Sequence, residues 1–138
     1  MRFAVDRLDH LVLAVRDTDI SAAWYQRVMG METDPLGDND ADPREGDGIA
    51  LRFGGQVVML RTLDHEATPR AGAMVAGAAD LCFATALGWE DVVAHLHECG
   101  VAVELGPVPR VGALGPIRSV YCRDPDRNLI EIASYFGD

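Results

Sequence analysis

Three side chains of types that commonly bind metal ions are spread along this chain of 138 residues: His10, Asp80 and Glu131. Imidazole nitrogens and carboxylate oxygens are ligands for divalent transition metals, and two carboxylates with one neutral imidazole balance the charge of such a cation. His10 and Asp80 each stand at the start of an apolar stretch. Glu131 lies inside the apolar segment 129–133, where an unpaired carboxylate would cost several kcal/mol.

Each of these residues also has an explanation without a metal. A histidine or aspartate at a strand start is more often solvated or bonded locally than bound to an ion. Glu131 is harder to explain in that way because its neighbours are apolar, but one salt bridge from Arg61 or Arg123 would satisfy its charge. We predict a metal site formed by His10, Asp80 and Glu131, with a salt-bridged Glu131 as the structural alternative.

The elements that would position these residues are repeated in the two halves of the chain. "DHLVLAV" precedes the amphipathic segment "DTDISAAWYQRVMG", and "DLCFATA" precedes "GWEDVVAHLHECG". His10 and Asp80 are 70 positions apart, and so are Gly30 and Gly100, which end the two predicted helices. Short strand signals follow each helix, so each half reads as βαβββ.

The later strands are marked by their turns. "GIALRFGGQVVMLRT" is predicted to form a hairpin that turns at Gly54-Gly55, and "VAVEL", "IRSVYCR" and "NLIEIASY" are predicted strands of the second half. The acidic segment 38–48 is interpreted as a solvated loop. The predicted fold class is α+β: two tandem βαβββ modules form a cup-shaped, curved mixed sheet with helices outside. One domain spans 1–138, with module one at about 7–63 and module two at about 79–136.

Alternation along the strands decides the face on which each candidate ligand lies. Residues two apart share a face, and the bulkier set of each strand should pack on a helix. His10 then falls on the concave face of its strand, and Asp80 takes the matching place in the second module. Ile130 and Ile132 supply the helix side of the last strand, which leaves Glu131 on the concave face. Three strands thus each offer one ligand to the same hollow.

Composition restricts the partners. Twelve basic residues against 22 acidic ones give a net charge of −10, so nucleic acid and anionic membrane surfaces would repel the chain. It contains neither an apolar run of about 20 residues nor a cationic, apolar leader, and we expect a cytoplasmic protein. The three cysteines are expected to be reduced. A small-molecule substrate or ligand is the expected partner.

Three segments resemble the vicinal oxygen chelate superfamily of glyoxalases, bleomycin-resistance proteins and extradiol dioxygenases: "LDHLVLAVRDTDISAAWYQRVMGM", "GAADLCFAT" and "YCRDPDRNLIEIASY". The "DLCF" strand and the "GPVPRVGALG" loop are similar to its glyoxalase-domain-containing 5 and virulence-protein-like subgroup. The resemblance runs from Leu8 to Tyr135. It implies paired βαβββ modules around a divalent metal ion, with His10 matching the first-strand ligand and Glu131 the last-strand ligand. The His/Asp/Glu donor set suits Mn, Co, Ni, Fe or Zn.

The resemblance also implies a class of reaction. Asp80 stands where most members carry histidine, although the subgroup has aspartate, and Arg61 stands near the expected fourth ligand. We therefore expect a metal-dependent lyase or isomerase of the glyoxalase type that chelates vicinal oxygens of a small substrate and stabilises an oxyanion or enediolate. The expected base is Glu131 or a metal-bound hydroxide. The alternatives are a metal-free protein that sequesters a drug or toxin, as bleomycin-resistance proteins do, and a ring-cleaving dioxygenase relative.

Three further residues are predicted to contact the substrate. Arg61, Arg110 and Tyr121 are predicted substrate-binding residues, and Arg61 would hold an anionic group if it faces the hollow. Cups of this type are commonly completed across a two-fold axis. We therefore expect a homodimer.

Overall fold

The computed structural model describes residues 1–35, 48–66 and 68–135, so the acidic segment 38–48 lies outside the described residues except for Gly48. The elements follow one another as β1 (His10–Val15), α1 (Thr18–Met29), β2 (Glu32–Pro35), β3 (Ile49–Phe53), β4 (Gln56–Thr62), β5 (Asp80–Thr85), α2 (Trp89–Glu98), β6 (Leu105–Gly112), β7 (Gly115–Arg123) and β8 (Leu129–Ser134). The chain divides into two compact units, 1–74 and 75–138. Each unit has the order βαβββ, which confirms the predicted α+β class.

The first unit is a four-stranded mixed sheet in the order β1-β4-β3-β2, in which β1 runs parallel to β4 and the other neighbours are antiparallel. Helix α1 begins where the Asp17 carboxylate accepts a hydrogen bond from the backbone N–H of Ile20 at 3.0 Å. It ends at Gly30, whose φ of 66° is left-handed. The β3–β4 hairpin turns at Gly54 and Gly55 with φ of 50° and 76°, as predicted.

The second unit repeats this topology in the order β5-β8-β7-β6, with β5 parallel to β8. Helix α2 contacts β7 and β8 and buries Val92 and Leu96. The strands bury Val120, Ile130 and Ile132, which alternate with the residues of the other sheet face. No helix in the described part of the chain is long and apolar enough to cross a membrane.

The predicted strand at 101–105 is wrong, because residues 101–104 lie outside any strand and β6 covers most of the segment expected to be a loop. Pairing with β7 begins at Leu105 and continues through a β-bulge, because the register of β6 against β7 shifts between Leu105 and Val108. Gly106 permits it, since a Cβ there would collide with the backbone oxygen of Ser119 and the Cα of Val120. Because β6 is an edge strand, it tolerates the following Pro107.

The turn between β7 and β8 is held by the buried Asp124 carboxylate. Its Oδ1 accepts hydrogen bonds from the backbone N–H groups of Asp126 and Asn128, each at 2.9 Å, and its Oδ2 accepts one from Asn128 Nδ2 at 2.8 Å. Asn128 Oδ1 in turn accepts from the backbone N–H of Ala79 at 2.9 Å. This chain of bonds ties the start of β8 to the residue before β5 and so fixes the register of the two parallel strands.

Arg127, in the same turn, has a φ of 72°, a left-handed conformation that disfavours any side chain with a Cβ. We expect Arg127→Gly to raise the free energy of unfolding by about 0.5–1 kcal/mol, because glycine adopts this conformation without strain. The two hydrogen bonds that Arg127 makes through its backbone, to Asp124 and from Arg123, survive the change. Urea unfolding checks the prediction, with Arg127→Ala as the control that removes the guanidinium but keeps the Cβ. Equal stabilities of the glycine and alanine variants would argue against backbone strain.

Cys122 is fully buried, and burial, followed by the charges of Asp124 and Glu104, raises the pKa of its thiol from 9.0 to about 11. The folded state therefore holds this proton more tightly than the unfolded chain. Its contribution to stability is complete below about pH 9 and is lost as the pH rises towards 11, by up to about 2.7 kcal/mol. The chain contains no lysine, but tyrosine and thiol side chains generally titrate in this window as well, so the contribution of Cys122 is obtained by comparison with a variant.

Urea unfolding under reducing conditions from pH 8 to 11 tests this dependence. We expect Cys122→Ala to be less stable at pH 8 because it leaves a small cavity. Its free energy of unfolding should nevertheless fall less steeply with pH than that of the wild type. Parallel pH profiles for the two proteins would show that Cys122 does not cause the loss.

Candidate metal and substrate site

One face of the second sheet carries two of the three predicted metal ligands. Directly paired strand residues share a face, and the pairing puts Cys82, Glu131 and Tyr121 in one row across β5, β8 and β7. Asp80 lies in the neighbouring row, opposite Leu129, and on the same face. The structure thus places Asp80 and Glu131 on a common face, as alternation along the strands predicts. We call this surface the Glu131 face.

Glu131 is half-buried and its carboxylate is oriented by a hydroxyl group. Ser119, which has no exposed surface, donates from Oγ to Glu131 Oε2 at 2.5 Å. Short hydrogen bonds to an ionised carboxylate are among the stronger ones in proteins. This contact fixes one oxygen of the Glu131 carboxylate. Sequence reasoning did not find Ser119, although its position two residues before Tyr121 on β7 puts it on the Glu131 face.

The salt bridge proposed from Arg123 to Glu131 is wrong. Arg123 instead pairs with Glu104, donating from Nε to Oε1 at 3.0 Å and from Nη2 to Oε2 at 2.9 Å. The hydrogen bond from Arg123 is the main cause that lowers the pKa of Glu104. Arg123 therefore compensates a different carboxylate, and Glu131 keeps its place in the apolar strand with a neutral donor.

Cys82 joins this site between the two carboxylates. Desolvation, then the charge and hydrogen bond of Glu131, then the charge of Asp80 raise the pKa of its thiol to about 11. The thiol therefore stays protonated near neutral pH and is a hydrogen-bond donor to Glu131.

His10 belongs to the first unit, whereas Asp80 and Glu131 belong to the second. It is the first residue of β1, its side chain is 41% exposed, and its Nδ1 donates to the carboxylate of Asp9 at 2.8 Å. This contact lowers the pKa of Asp9. Histidines that bind metals usually donate their other ring nitrogen to a carboxylate in this way, which leaves Nε2 as the ligand atom. The local contacts of His10 therefore suit a metal ligand.

Within residues 1–35, 48–66 and 68–135, no group of three or more His, Cys, Asp or Glu side chains forms a metal-binding cluster. The donor types and their hydrogen-bond partners do fit a divalent ion: Glu131 is oriented by Ser119, and His10 by Asp9. The three-residue metal site stays a prediction.

Two of the three predicted substrate-binding residues are brought together on the Glu131 face. Arg110 donates from Nε to Tyr121 Oη at 3.1 Å and from Nη1 to the backbone oxygen of Pro109 at 3.0 Å. Its Cζ atom lies 5.7 Å from the centroid of the Tyr121 ring, a cation–π contact. The third residue, Arg61, lies in the first unit, where it is 6% exposed and pairs with Ala14 on the same face of the sheet as His10.

Taken together, the chain is an α+β protein of two βαβββ units whose second sheet carries a half-buried glutamate on a polar face. The family pattern of the "Glyoxalase/Bleomycin resistance protein/Dioxygenase superfamily" matches residues 7–132. The chain belongs to this superfamily, as its sequence resemblance predicts.

The chain matches its relatives along most of their length and its own. The chain is 39% identical over 135 residues to Virulence protein STM3117 of Salmonella typhimurium strain LT2, covering 98% of this chain and 88% of that protein. It is 40% identical over 134 residues to Glyoxalase domain-containing protein RDO1 of Mycosarcoma maydis, covering 97% and 71%. The solved structure of VPC_CASS1, from the mobile metagenome of V. Pseudocholerae, matches with a TM-score of 0.89 at 39% identity, covering 99% and 100%.

More distant structures share the fold but differ in what their names describe. A lactoylglutathione lyase from Agrobacterium tumefaciens has a TM-score of 0.69 at 22% identity, covering 96% of each chain. TnmS3, an antibiotic binding protein from Streptomyces sp. CB03234, has a TM-score of 0.70 at 22% identity, covering 96% of this chain and 98% of that one. At this identity the fold alone is shared, and it accommodates both an enzyme and a ligand-binding protein.

Proposed function

We propose that the chain is a divalent-metal-dependent enzyme of the glyoxalase type, in the lyase or isomerase class. Mn, Co, Ni, Fe and Zn all suit the proposed ligands His10, Asp80 and Glu131. The observation that carries the proposal is the Glu131 carboxylate, held in an apolar strand by the Ser119 hydroxyl and sharing its face with Asp80. Such a carboxylate has a physical reason to exist if a cation balances it.

A bound divalent ion would act as a Lewis acid towards two neighbouring oxygens of the substrate and stabilise the negative charge that develops there. The chain's own residues do the rest. Ser119 orients the Glu131 carboxylate through Oε2, and Glu131 is the residue that would take up a substrate proton. Arg110 and Tyr121 lie on the same face and would orient the substrate against it.

The second candidate is a metal-free protein that sequesters a drug or toxin. It is supported by the Arg110–Tyr121 pair, which can hold a polar ligand group without a metal, and by the likeness in fold to the antibiotic binding protein. The ring-cleaving alternative has less support, because extradiol dioxygenases use two histidines and Asp80 stands where the second one would be.

Cobalt spectroscopy with a small chelator distinguishes the two candidates. We expect the metal-free chain to develop Co²⁺ d–d absorption on titration, and the bands to shift when acetohydroxamate, which offers two neighbouring oxygens, is added. Glu98→Gln, which removes an exposed carboxylate from α2, should behave as the wild type. If Co²⁺ gives no saturable absorption, or if acetohydroxamate leaves the bands unchanged, an open metal site is refuted. The solution mass of the same preparation tests the expected homodimer.

A further inference from the structure

The bulge in β6 determines the face of the second sheet on which Arg110 lies. Along a regular strand, alternation from Leu105 would put Arg110 on the face opposite to Tyr121. The bulge inserts one residue, so Val108 pairs with Ser119 and Arg110 pairs with Ile117. Arg110 therefore shares the face of Ser119 and Tyr121, and this is the Glu131 face.

On this face the guanidinium is held in place before any ligand arrives. Its Nε and Nη1 are engaged by Tyr121 Oη and the Pro109 carbonyl, and the group lies near the Tyr121 ring. In the described part of the chain, no carboxylate pairs with Arg110, whereas Arg123 and Arg52 both have one. Burying or fixing an arginine costs side-chain entropy, and a preorganised guanidinium loses less on binding a ligand.

Two hydrogen-bond donors of Arg110 and Tyr121 stay available to a ligand. Nη2 of Arg110 is not engaged by a described residue, and Tyr121 Oη, which accepts from Arg110, keeps its own O–H to donate. Two such donors side by side match two oxygens of one oxyanion. Tyr121 is the direct cross-strand partner of Glu131, so this pair adjoins the proposed catalytic carboxylate.

We propose that Arg110 and Tyr121 form an anion-binding pair. The substrate would then carry a carboxylate, phosphate or phosphonate group next to the two oxygens that bind at the proposed metal site beside Glu131. The proposal rests on the proposed function for the identity of the ligand as a substrate. With a net charge of −10, the chain does not attract anions in general, so recognition depends on this local pair. The pair thus sets specificity rather than the rate of encounter.

The test uses the whole 138-residue chain without metal and inorganic phosphate, at constant ionic strength, with the arginine Nε–H resonances followed by NMR. We expect the Arg110 resonance to shift saturably. Arg110→Gln should weaken phosphate binding at least about tenfold and Tyr121→Phe about threefold. Arg118→Gln, an exposed arginine that alternates to the other face of the same hairpin, should change the affinity less than about twofold. A parallel titration with acetate distinguishes a preference for phosphate-like groups from one for carboxylates.

The proposal is overturned if the wild type shows no saturable shift, or if Arg110→Gln and Arg118→Gln bind phosphate equally. Because the metal is absent, the result does not depend on the proposed metal site. A chain that binds phosphate through Arg110 but takes up no metal would refute the enzyme and leave the anion site standing.

Discussion

The Glu131→Gln variant is expected to lose metal binding while remaining folded. The substituted side chain would keep the shape of the original and an amide oxygen for Ser119, but it would lose the charge that balances the cation. Changes to groups that only orient a ligand cost 10–100-fold in affinity, so loss of the ligand itself should cost at least about 100-fold.

Thermal unfolding with and without Co²⁺ measures this effect. A free metal concentration of about 100 times Kd should stabilise the wild type by about 2.7 kcal/mol, and the variant should show almost none of that gain. Without metal, the variant should be as stable as the wild type or more so, because it removes a half-buried charge from an apolar strand. Glu98→Gln is the control with the same change of charge. An unchanged response to Co²⁺ in Glu131→Gln would remove this residue from the site.

The Asp124→Ala variant is expected to lose about 3–4 kcal/mol of the free energy of unfolding. The buried carboxylate accepts three hydrogen bonds, two from backbone N–H groups and one from Asn128 Nδ2. Removing it leaves these donors without a partner, and each buried unsatisfied donor costs about 1–3 kcal/mol. Water entering the truncated turn would reduce the sum.

Urea unfolding gives the size of this loss, and amide hydrogen exchange gives its location. The backbone N–H of Ala79, which is bonded to Asn128, should exchange faster in Asp124→Ala than in the wild type. Asp6→Ala, which removes an exposed carboxylate, serves as the control and should change stability by less than about 0.5 kcal/mol. A loss below about 1 kcal/mol in Asp124→Ala would show that the turn does not fix the strands as described.

Much of this fold follows from local rules that act within one strand or helix. Asp17 and Gly30 bound α1 because a side-chain acceptor and a left-handed glycine satisfy its end groups. The spacing of 70 between His10 and Asp80 reflects a true repeat, since both residues begin the strand that precedes a helix. Alternation then places Asp80 and Glu131 on one face, because the two parallel strands are in register.

The errors occur where the backbone departs from regular alternation. The strand expected at 101–105 starts only at Leu105, and β6 then bulges at Gly106, which lies so close to the Ser119 backbone that a side chain there would collide with it. The resulting bulge also moves Arg110 to the face of Tyr121, which a two-residue period assigns to the opposite side. The sequence signal was present, since a Gly-Pro pair inside a strand marks a bulge or an edge.

The hydrogen-bond partner of Glu131 could not be predicted from alternation along the strands. Alternation assigns a face, but it does not choose between Ser119 and Arg123 as the partner of a carboxylate, because both lie on the same face of β7. That choice depends on Glu104, which takes the guanidinium. Alternation along the strands of the second sheet likewise gives no distance from Asp80 or Glu131 to His10, which belongs to the first unit. The three-residue metal site therefore remains a proposal.

Elemental analysis of the chain, purified without chelators and then loaded with Mn²⁺, Co²⁺, Ni²⁺, Fe²⁺ or Zn²⁺, tests the central claim most directly. We predict about one tightly bound ion per chain for at least one of these metals, and its loss in each of His10→Ala, Asp80→Asn and Glu131→Gln. Glu98→Gln should retain the ion. If the wild type binds none of these metals stoichiometrically, or if all three variants bind as much as the wild type, the proposed metal enzyme is contradicted and sequestration becomes the better account.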